Sequence, residues 1–350
     1  MIDRFLPDSL VLDAQRKNEE KVVKRVLRAA VSSLPGGARE MVFELVRRVA
    51  KGIVSRLPKV AHQAAFEQIC DDFGRFTLIS RLAQECNVVA LRVSGRYGII
   101  QSASDDTAVL MQYAETGTWA ERTNSLLQSF FADKRGNYID IGANIGLTTI
   151  PVAQNPRVHC LAIEPEPKNF ANLCANIVEN CPYNNVDVRR LAIFERRQKL
   201  TFELCSGNLG DHRLRIGEKT GRYGEEKRAA IEVEAMPLDE IVGNLDGPLA
   251  VKIDTQGAEP FVVSGGKETL SRAGLIICEF WPYGMARLGG NSEYLIEFLR
   301  DQFSTLAIAI EEKGPMLPPR SSREASEQLT AFVRAHSDNP EMYLDVIARR

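Results

Sequence analysis

From about residue 88 the chain is a succession of short apolar runs separated by helix-like segments, and this alternation limits the fold more than any other feature. The runs fall at 137–141 (NYIDI), 158–163 (VHCLAI), 186–193 (VDVRRLAI), 249–254 (LAVKID), 274–280 (GLIICEF), 305–310 (TLAIAI) and 342–348 (MYLDVIA). Strands alternating with helices in this way build a mainly parallel sheet covered on both faces. Two more runs, KLTFELC and AAIEVEAM, flank the polar stretch 206–228 and read as a β-hairpin with a long loop. In such sheets a ligand binds beyond the carboxyl ends of the strands.

Residues 17 to about 86 have a different texture. In REMVFELVRRVAKGIVSRL, Val42, Leu45, Val46, Val49, Ile53 and Leu57 recur at three- and four-residue steps, which predicts an amphipathic helix. LPGG at 34–37 separates it from the helix before, LPK at 57–59 ends it, and AAFEQICDDFGRFTLISRLAQ reads as a third helix. Residues 1–87 are therefore expected to form a helical extension, a cap or a homodimerisation element, ahead of an α/β domain over 88–350. The extension is basic, with 13 Lys+Arg against 7 Asp+Glu in residues 1–60, whereas the whole chain carries −2. Its helices suit an acidic partner or a membrane surface as well as a solvated polar face. The near-neutral total gives no case for nucleic acid.

Seven cysteines without CxxC spacing and four scattered histidines argue against a structural zinc site. No apolar run reaches the roughly 20 residues of a membrane span. The N-terminus lacks the basic and apolar regions of a secretory signal, so a cytoplasmic location is expected.

The stretch NYIDIGANIGLTTI is a strand entering a tight glycine turn and then a helix, the place where a nucleotide binds. A dinucleotide site needs G-x-G-x-x-G. Starting from Gly142, Asn144 and Leu147 stand where the second and third glycines would fall, and the pattern is Asp140-x-Gly142-x-x-x-Gly146. An aspartate so close to the turn would repel a pyrophosphate but suits a ligand with a positive end, such as the α-amino group of S-adenosylmethionine. Gly142, Ala143, Asn144 and Gly146 are thus expected around the donor. The next strand ends in AIEPEP, where Glu164 accepts from both ribose hydroxyls and Pro165 follows it. Ala192, with Ile193, is expected to flank the adenine.

These motifs resemble those of the FkbM-type S-adenosylmethionine-dependent methyltransferases. YIDIGANIGLTTI is similar to the family's first motif and IEPEPKNFANLCANI to its ribose strand and helix. PLDEIV…LAVKIDTQGAEPFVVSGGKETL…GLIICEF is similar to its most distinctive block, usually Lys-Ile-Asp-x-Glu-Gly-x-Glu, with Asp254 and Glu259 in register and Gln256 where a Glu is usual. The resemblance spans about 95–350. It implies a class I methyltransferase domain, a Rossmann-like seven-stranded mostly parallel sheet whose last strand is antiparallel. It also implies O-methylation of a hydroxyl on a sugar, glycan or natural-product acceptor.

Methyl transfer to a hydroxyl needs positioning and a base. Asp254, at the end of its strand beside the donor, is the first candidate, and a helix cap is its alternative reading. Glu259, Glu279 and His212 are the others. Glu259 also suits a helix N-terminus, and His212 also suits a polar loop. Phe280, Trp281 and Tyr283 either wall the acceptor pocket or pack its rim. A divalent cation between Asp254 and Glu259 or Glu279 is compatible with carboxylate chemistry but not required by the spacing. Two other functions compete: a non-catalytic S-adenosylmethionine-binding module acting through the helical extension, kept open by Gln256, and an NAD-dependent oxidoreductase, which the glycine spacing disfavours.

Overall fold

The computed structural model describes residues 76–350 except 207, 217–220, 223 and 311–313. The helices and the homodimer surface expected before residue 76 lie outside the described residues. The chain divides into two compact units, 1–118 and 119–350.

The described part of the first unit holds α1 (Phe76–Glu85), an antiparallel hairpin of β1 (Ala90–Gly95) and β2 (Gly98–Ala103), and α2 (Val109–Thr116). Asp106 starts α2, its carboxylate accepting from the N–H groups of Val109 (2.9 Å) and Leu110 (3.1 Å) and from the Ser102 hydroxyl (2.8 Å). The hairpin lies in this unit, although the sequence reading starts the α/β domain at residue 88.

The second unit opens with α3 (Glu121–Phe130), β3 (Gly136–Ile141), α4 (Thr149–Ala153), β4 (Val158–Ile163), α5 (Pro167–Asn180) and β5 (Val186–Arg189). A second sheet follows, from β6 (Ala192–Ile193), β7 (Gln198–Leu204), β8 (Arg213–Arg215) and β9 (Ala229–Met236). The chain then runs through α6 (Leu238–Ile241), β10 (Leu249–Ile253), α7 (Glu259–Gly265), α8 (Lys267–Leu270), β11 (Leu275–Phe280) and α9 (Pro282–Leu288). It ends with α10 (Ser292–Gln302), β12 (Thr305–Ala309), β13 (Arg320–Ser321), α11 (Ser322–His336) and β14 (Leu344–Arg349).

The main sheet has the order β13-β12-β14-β11-β10-β3-β4-β5. Its strands are parallel except β14, which slots antiparallel between β11 and β12, and the two-residue edge strand β13. Without β13 this is a seven-stranded sheet with an antiparallel last strand, as the resemblance implies. All five residues of β10 are buried, which explains a run apolar but for Lys252. Ile139, Ile141, Val251, Ile253, Ile276 and Val346 belong to one core that helices α7, α10 and α11 cover.

The run 186–193 is not one strand. It leaves the main sheet after Arg189, and Ala192 and Ile193 pair with Ala235 and Met236 of β9. The expected hairpin forms between β7 and β9, with Leu200 opposite Val233 and Phe202 opposite Ile231. Buried charges fasten it to α9: Glu203 is fully buried and accepts from Arg215 Nε (2.7 Å) and Arg287 Nη2 (2.6 Å). Arg213 pairs with Asp211 and lies 4.7 Å from the centroid of Trp281. Buried charges are tolerated when each finds such a partner.

Candidate functional site

The carboxyl ends of β3, β4 and β10 meet at one place. Gly142, at φ +83°, turns the chain out of β3, and a Cβ added there would lie 1.9 Å from the Asp254 carbonyl oxygen. Gly146, at φ +96°, leaves only 2.9 Å to Leu173 Cδ1 for such a carbon. Gly142 therefore requires glycine for backbone packing as well as for conformation, and Gly146 for conformation. Between them Ala143 is buried, and Asn144 adopts a left-handed φ of 51° that asparagine tolerates better than most residues. Glu164 holds this turn: its Oε2 accepts from the Asn144 N–H (2.9 Å) and its Oε1 from the Glu166 N–H (2.9 Å). Burial raises the Glu164 carboxyl to about 7, against the pull of the two N–H groups. Pro165 is half-buried beside it. Glu166 caps α5 by accepting from the Asn169 N–H, with Pro167 in the first turn.

Asp140 does not present its charge to a ligand. It is fully buried, with Oδ2 accepting from the hydroxyls of Thr148 and Thr149 (both 2.7 Å). The positive group it faces is Lys252, whose Nζ lies 3.6 Å from Asp140 Oδ1. Lys252 sits opposite Asp140 in the β3–β10 register and also reaches Asp254 Oδ2 (3.2 Å) and the Gly142 carbonyl (3.2 Å). Burial works against its charge, but Asp254 and Asp140 hold its pKa above the ordinary lysine value. Lys252 is absent from the candidates picked by sequence, yet a signal existed. It is the one charged residue inside the apolar run LAVKI, and a lysine there needs a carboxylate partner.

Asp254 keeps 38% of its side chain exposed, so an acceptor can reach it. The next residues curl back on themselves. Gln256 has a left-handed φ of 56°, and its Nε2 donates to Asp254 Oδ1 (3.0 Å) and to Glu279 Oε2 (2.9 Å). Glu279, at the end of β11, is half-buried. Burial, reinforced by the carboxylates of Asp254, Glu259 and Asp345, pushes its carboxyl well above the usual range, with Lys252 opposing.

Glu259 does not reach the cleft. It is fully buried and its Oε1 accepts from the Thr255 N–H (2.9 Å), the Thr255 hydroxyl (2.9 Å) and the Gly257 N–H (3.2 Å). It shapes the loop that carries Asp254, as acids at helix starts commonly do. The carboxylates compatible with a divalent cation are not brought together: Glu259 faces its own loop and an amide lies between Asp254 and Glu279. Among the described residues no group of three or more His, Cys, Asp or Glu side chains is placed to hold a metal.

His212 does not reach the carboxylates through its Nδ1, which accepts from the Cys205 N–H (2.9 Å) and closes the β7–β8 turn. The loop it belongs to does cross to the glycine turn, through Leu209. The Leu209 carbonyl accepts from the side-chain amides of Asn144 (2.8 Å) and Asn169 (2.9 Å). Ala192 packs with Phe194, Phe202, Val233 and Leu288 and is buried, so its methyl belongs to the hairpin core rather than to an open wall. Phe280, Trp281 and Tyr283 are buried too, with Trp281 donating to the Pro340 carbonyl and Tyr283 to Glu225.

Residues 140–304 match the family model of the methyltransferase FkbM domain. Over that stretch the chain is similar to an FkbM methyltransferase domain. No curated protein matches the chain. Solved structures similar to it include a precorrin-6y C5,15-methyltransferase from Geobacter metallireducens, 11% identical, covering 65% of this chain and 87% of that one with a TM-score of 0.34. A tRNA methyltransferase from B. subtilis is 10% identical over 66% of each chain, with a TM-score of 0.35. A precorrin 8w decarboxylase from Methanobacterium thermoautotrophicum is 13% identical over 65% of this chain and 90% of that one, with a TM-score of 0.34. Among the described residues no helix is long and apolar enough to cross a membrane.

Proposed function

We propose that the FkbM domain transfers a methyl group from S-adenosylmethionine to a hydroxyl on a sugar, glycan or natural-product acceptor. One observation supports this most directly: Asp254, the exposed carboxylate, is joined to the Gly142 turn through Lys252. Donor turn and base candidate are thus linked through one lysine. The donor supplies an electrophilic methyl on a sulfonium. The protein's part is to hold the acceptor oxygen in line and to take its proton.

In this reading Gly142, Ala143, Asn144 and Gly146 bring the backbone to the donor, Glu164 accepts from the ribose hydroxyls, and Pro165 borders that site. The residues present fit such a ligand, because Glu164 stands beside the glycine turn with its carboxyl raised to about 7. Asp140 contributes through Lys252. Asp254 removes the acceptor proton, Glu279 supports it through Gln256, and Glu259 sets its loop. The Leu209 loop bounds the donor side.

The test is calorimetry with S-adenosylhomocysteine and NADH, followed by transfer from labelled S-adenosylmethionine into a cell extract. Binding of the first and not the second, with label on an alkali-stable ether, is the expected result. Tight NADH binding without any response to S-adenosylhomocysteine would overturn it.

A further inference from the structure

The amide of Gln256 lies between two carboxyl groups that would otherwise face one another. One nitrogen, Nε2, donates to Asp254 Oδ1 at 3.0 Å and to Glu279 Oε2 at 2.9 Å, which uses both of its hydrogens. The backbone that aims this side chain is tightly constrained. Gln256 is left-handed at φ 56°, and Gly257 follows at φ 104° with space for a Cβ only 2.5 Å from the Gly284 carbonyl carbon of α9. Glu259 fastens the same turn from below through Thr255 and Gly257.

The charges facing this pair come from two strands and one helix. Lys252 of β10 touches Asp254, Asp345 of β14 lies opposite Glu279 in register, and Glu259 of α7 lies behind. Asp254, Glu259, Glu279 and Asp345 thus outnumber the one lysine beside them, and like charges at this range cannot all ionise. An amide is the side chain of this length that donates to two carboxyl oxygens without adding charge. Glutamate, usual at this position in the family the sequence resembles, would add an acceptor where two donors are needed.

We propose that Gln256 is a positioning residue that ties Asp254 to Glu279 and holds the two carboxyl groups side by side in one site. This deepens the reading of Asp254 as the base and rests on it. The Gln256 change is then a requirement of this site and not a decayed catalytic position. Restoring the family's glutamate damages the site.

The test follows thermal melting of the full chain between pH 5 and pH 8.5 for wild type, Gln256→Glu, and the double variant Gln256→Glu/Glu279→Gln. The double variant exchanges amide and carboxylate, so it restores one donor and one charge. A glutamate at 256 has its folded-state pKa raised by Asp254 and Glu279, so its penalty is small at pH 5 and grows as pH rises. The single variant should therefore lag wild type less at pH 5 than at pH 8.5, where it falls behind by about 3–8 °C, one to two pKa units of repulsion. The double variant should recover most of that gap, which a merely space-filling role for Gln256 would not produce. A single variant that tracks wild type at every pH, or a double variant that fails to recover, overturns the proposal. If the single variant does not fold, recovery of a folded double variant still decides the matter. Calorimetry with S-adenosylhomocysteine is run in parallel. Its failure with wild type would sink the methyl-transfer reading, while the melting curves would still judge the tie.

Discussion

The backbone N–H of Asn144 donates to Glu164 Oε2 across 2.9 Å, joining the glycine turn of β3 to the end of β4. That bond makes Glu164 a structural part of the turn before any ligand arrives, and burial brings its carboxyl to about 7. A carboxyl poised there can change its proton occupancy when ribose hydroxyls replace solvent.

Binding of S-adenosylhomocysteine should consequently release protons between about pH 6 and 7.5. Hydroxyl donors stabilise the ionised form and lower its pKa. Calorimetry in two buffers of different ionisation enthalpy measures this release, which Glu164→Gln should abolish. Glu164→Ala should weaken binding by about 1.5–3 kcal/mol, the range for hydrogen bonds to a charged group. For stability the sign is opposite to that of a salt-bridged acid. A raised carboxyl costs stability as pH climbs from its unfolded value through about 7, so Glu164→Gln should flatten the melting profile across that window.

Lys252→Met should destabilise the fold by about 3–5 kcal/mol, the cost of breaking a buried pair and leaving its partner charged. Asp140 is the partner left behind, fully buried with only the Thr148 and Thr149 hydroxyls. The native lysine has a raised pKa, so its contribution is fully present at neutral pH and is lost only as pH rises through that raised value. Urea unfolding at pH 7 measures the loss. A change below 1 kcal/mol would show that the lysine does not hold these carboxylates.

Asp254→Asn should leave S-adenosylhomocysteine affinity nearly unchanged while turnover with the extract's acceptor falls by roughly 10²–10⁴. Glu259→Gln is the comparison. Its carbonyl can still accept from the Thr255 and Gly257 N–H groups, so it should cost far less than Asp254→Asn. Equal losses for the two variants would place the base elsewhere.

Asn169→Ala removes one of the two amides that hold the Leu209 carbonyl. The expected cost is about 0.5–1.5 kcal/mol, the worth of one hydrogen bond. If the β7–β8 loop bounds the donor site, this should appear as a several-fold faster release of S-adenosylhomocysteine in stopped flow. Unchanged kinetics would leave the loop without a part in binding.

The strands were legible because apolar content and period report burial directly. The runs at 137–141, 158–163 and 249–254 became β3, β4 and β10 within a residue or so, and the hairpin appeared where KLTFELC and AAIEVEAM stood. The run at 186–193 was misleading, because apolar character does not say which sheet a strand joins. Arg189 and Arg190 interrupt it, and the residues beyond pair with β9. Ala192 therefore looked like an adenine contact and is a hairpin core residue.

By itself the sequence determined the element types and the glycine turn, since these depend on residues close together in the chain. Asp140, Gly142 and Gly146 mark the turn through backbone conformation and charge that neighbours in sequence already specify. Only the tertiary structure decided which acid faces what, because that depends on strand register and loop direction. Asp140 and Lys252 are 112 positions apart yet sit opposite one another across β3 and β10. Asp254 and Glu259, five positions apart, point to different surroundings, because a left-handed turn at Gln256 leaves one at the cleft and buries the other under its own loop.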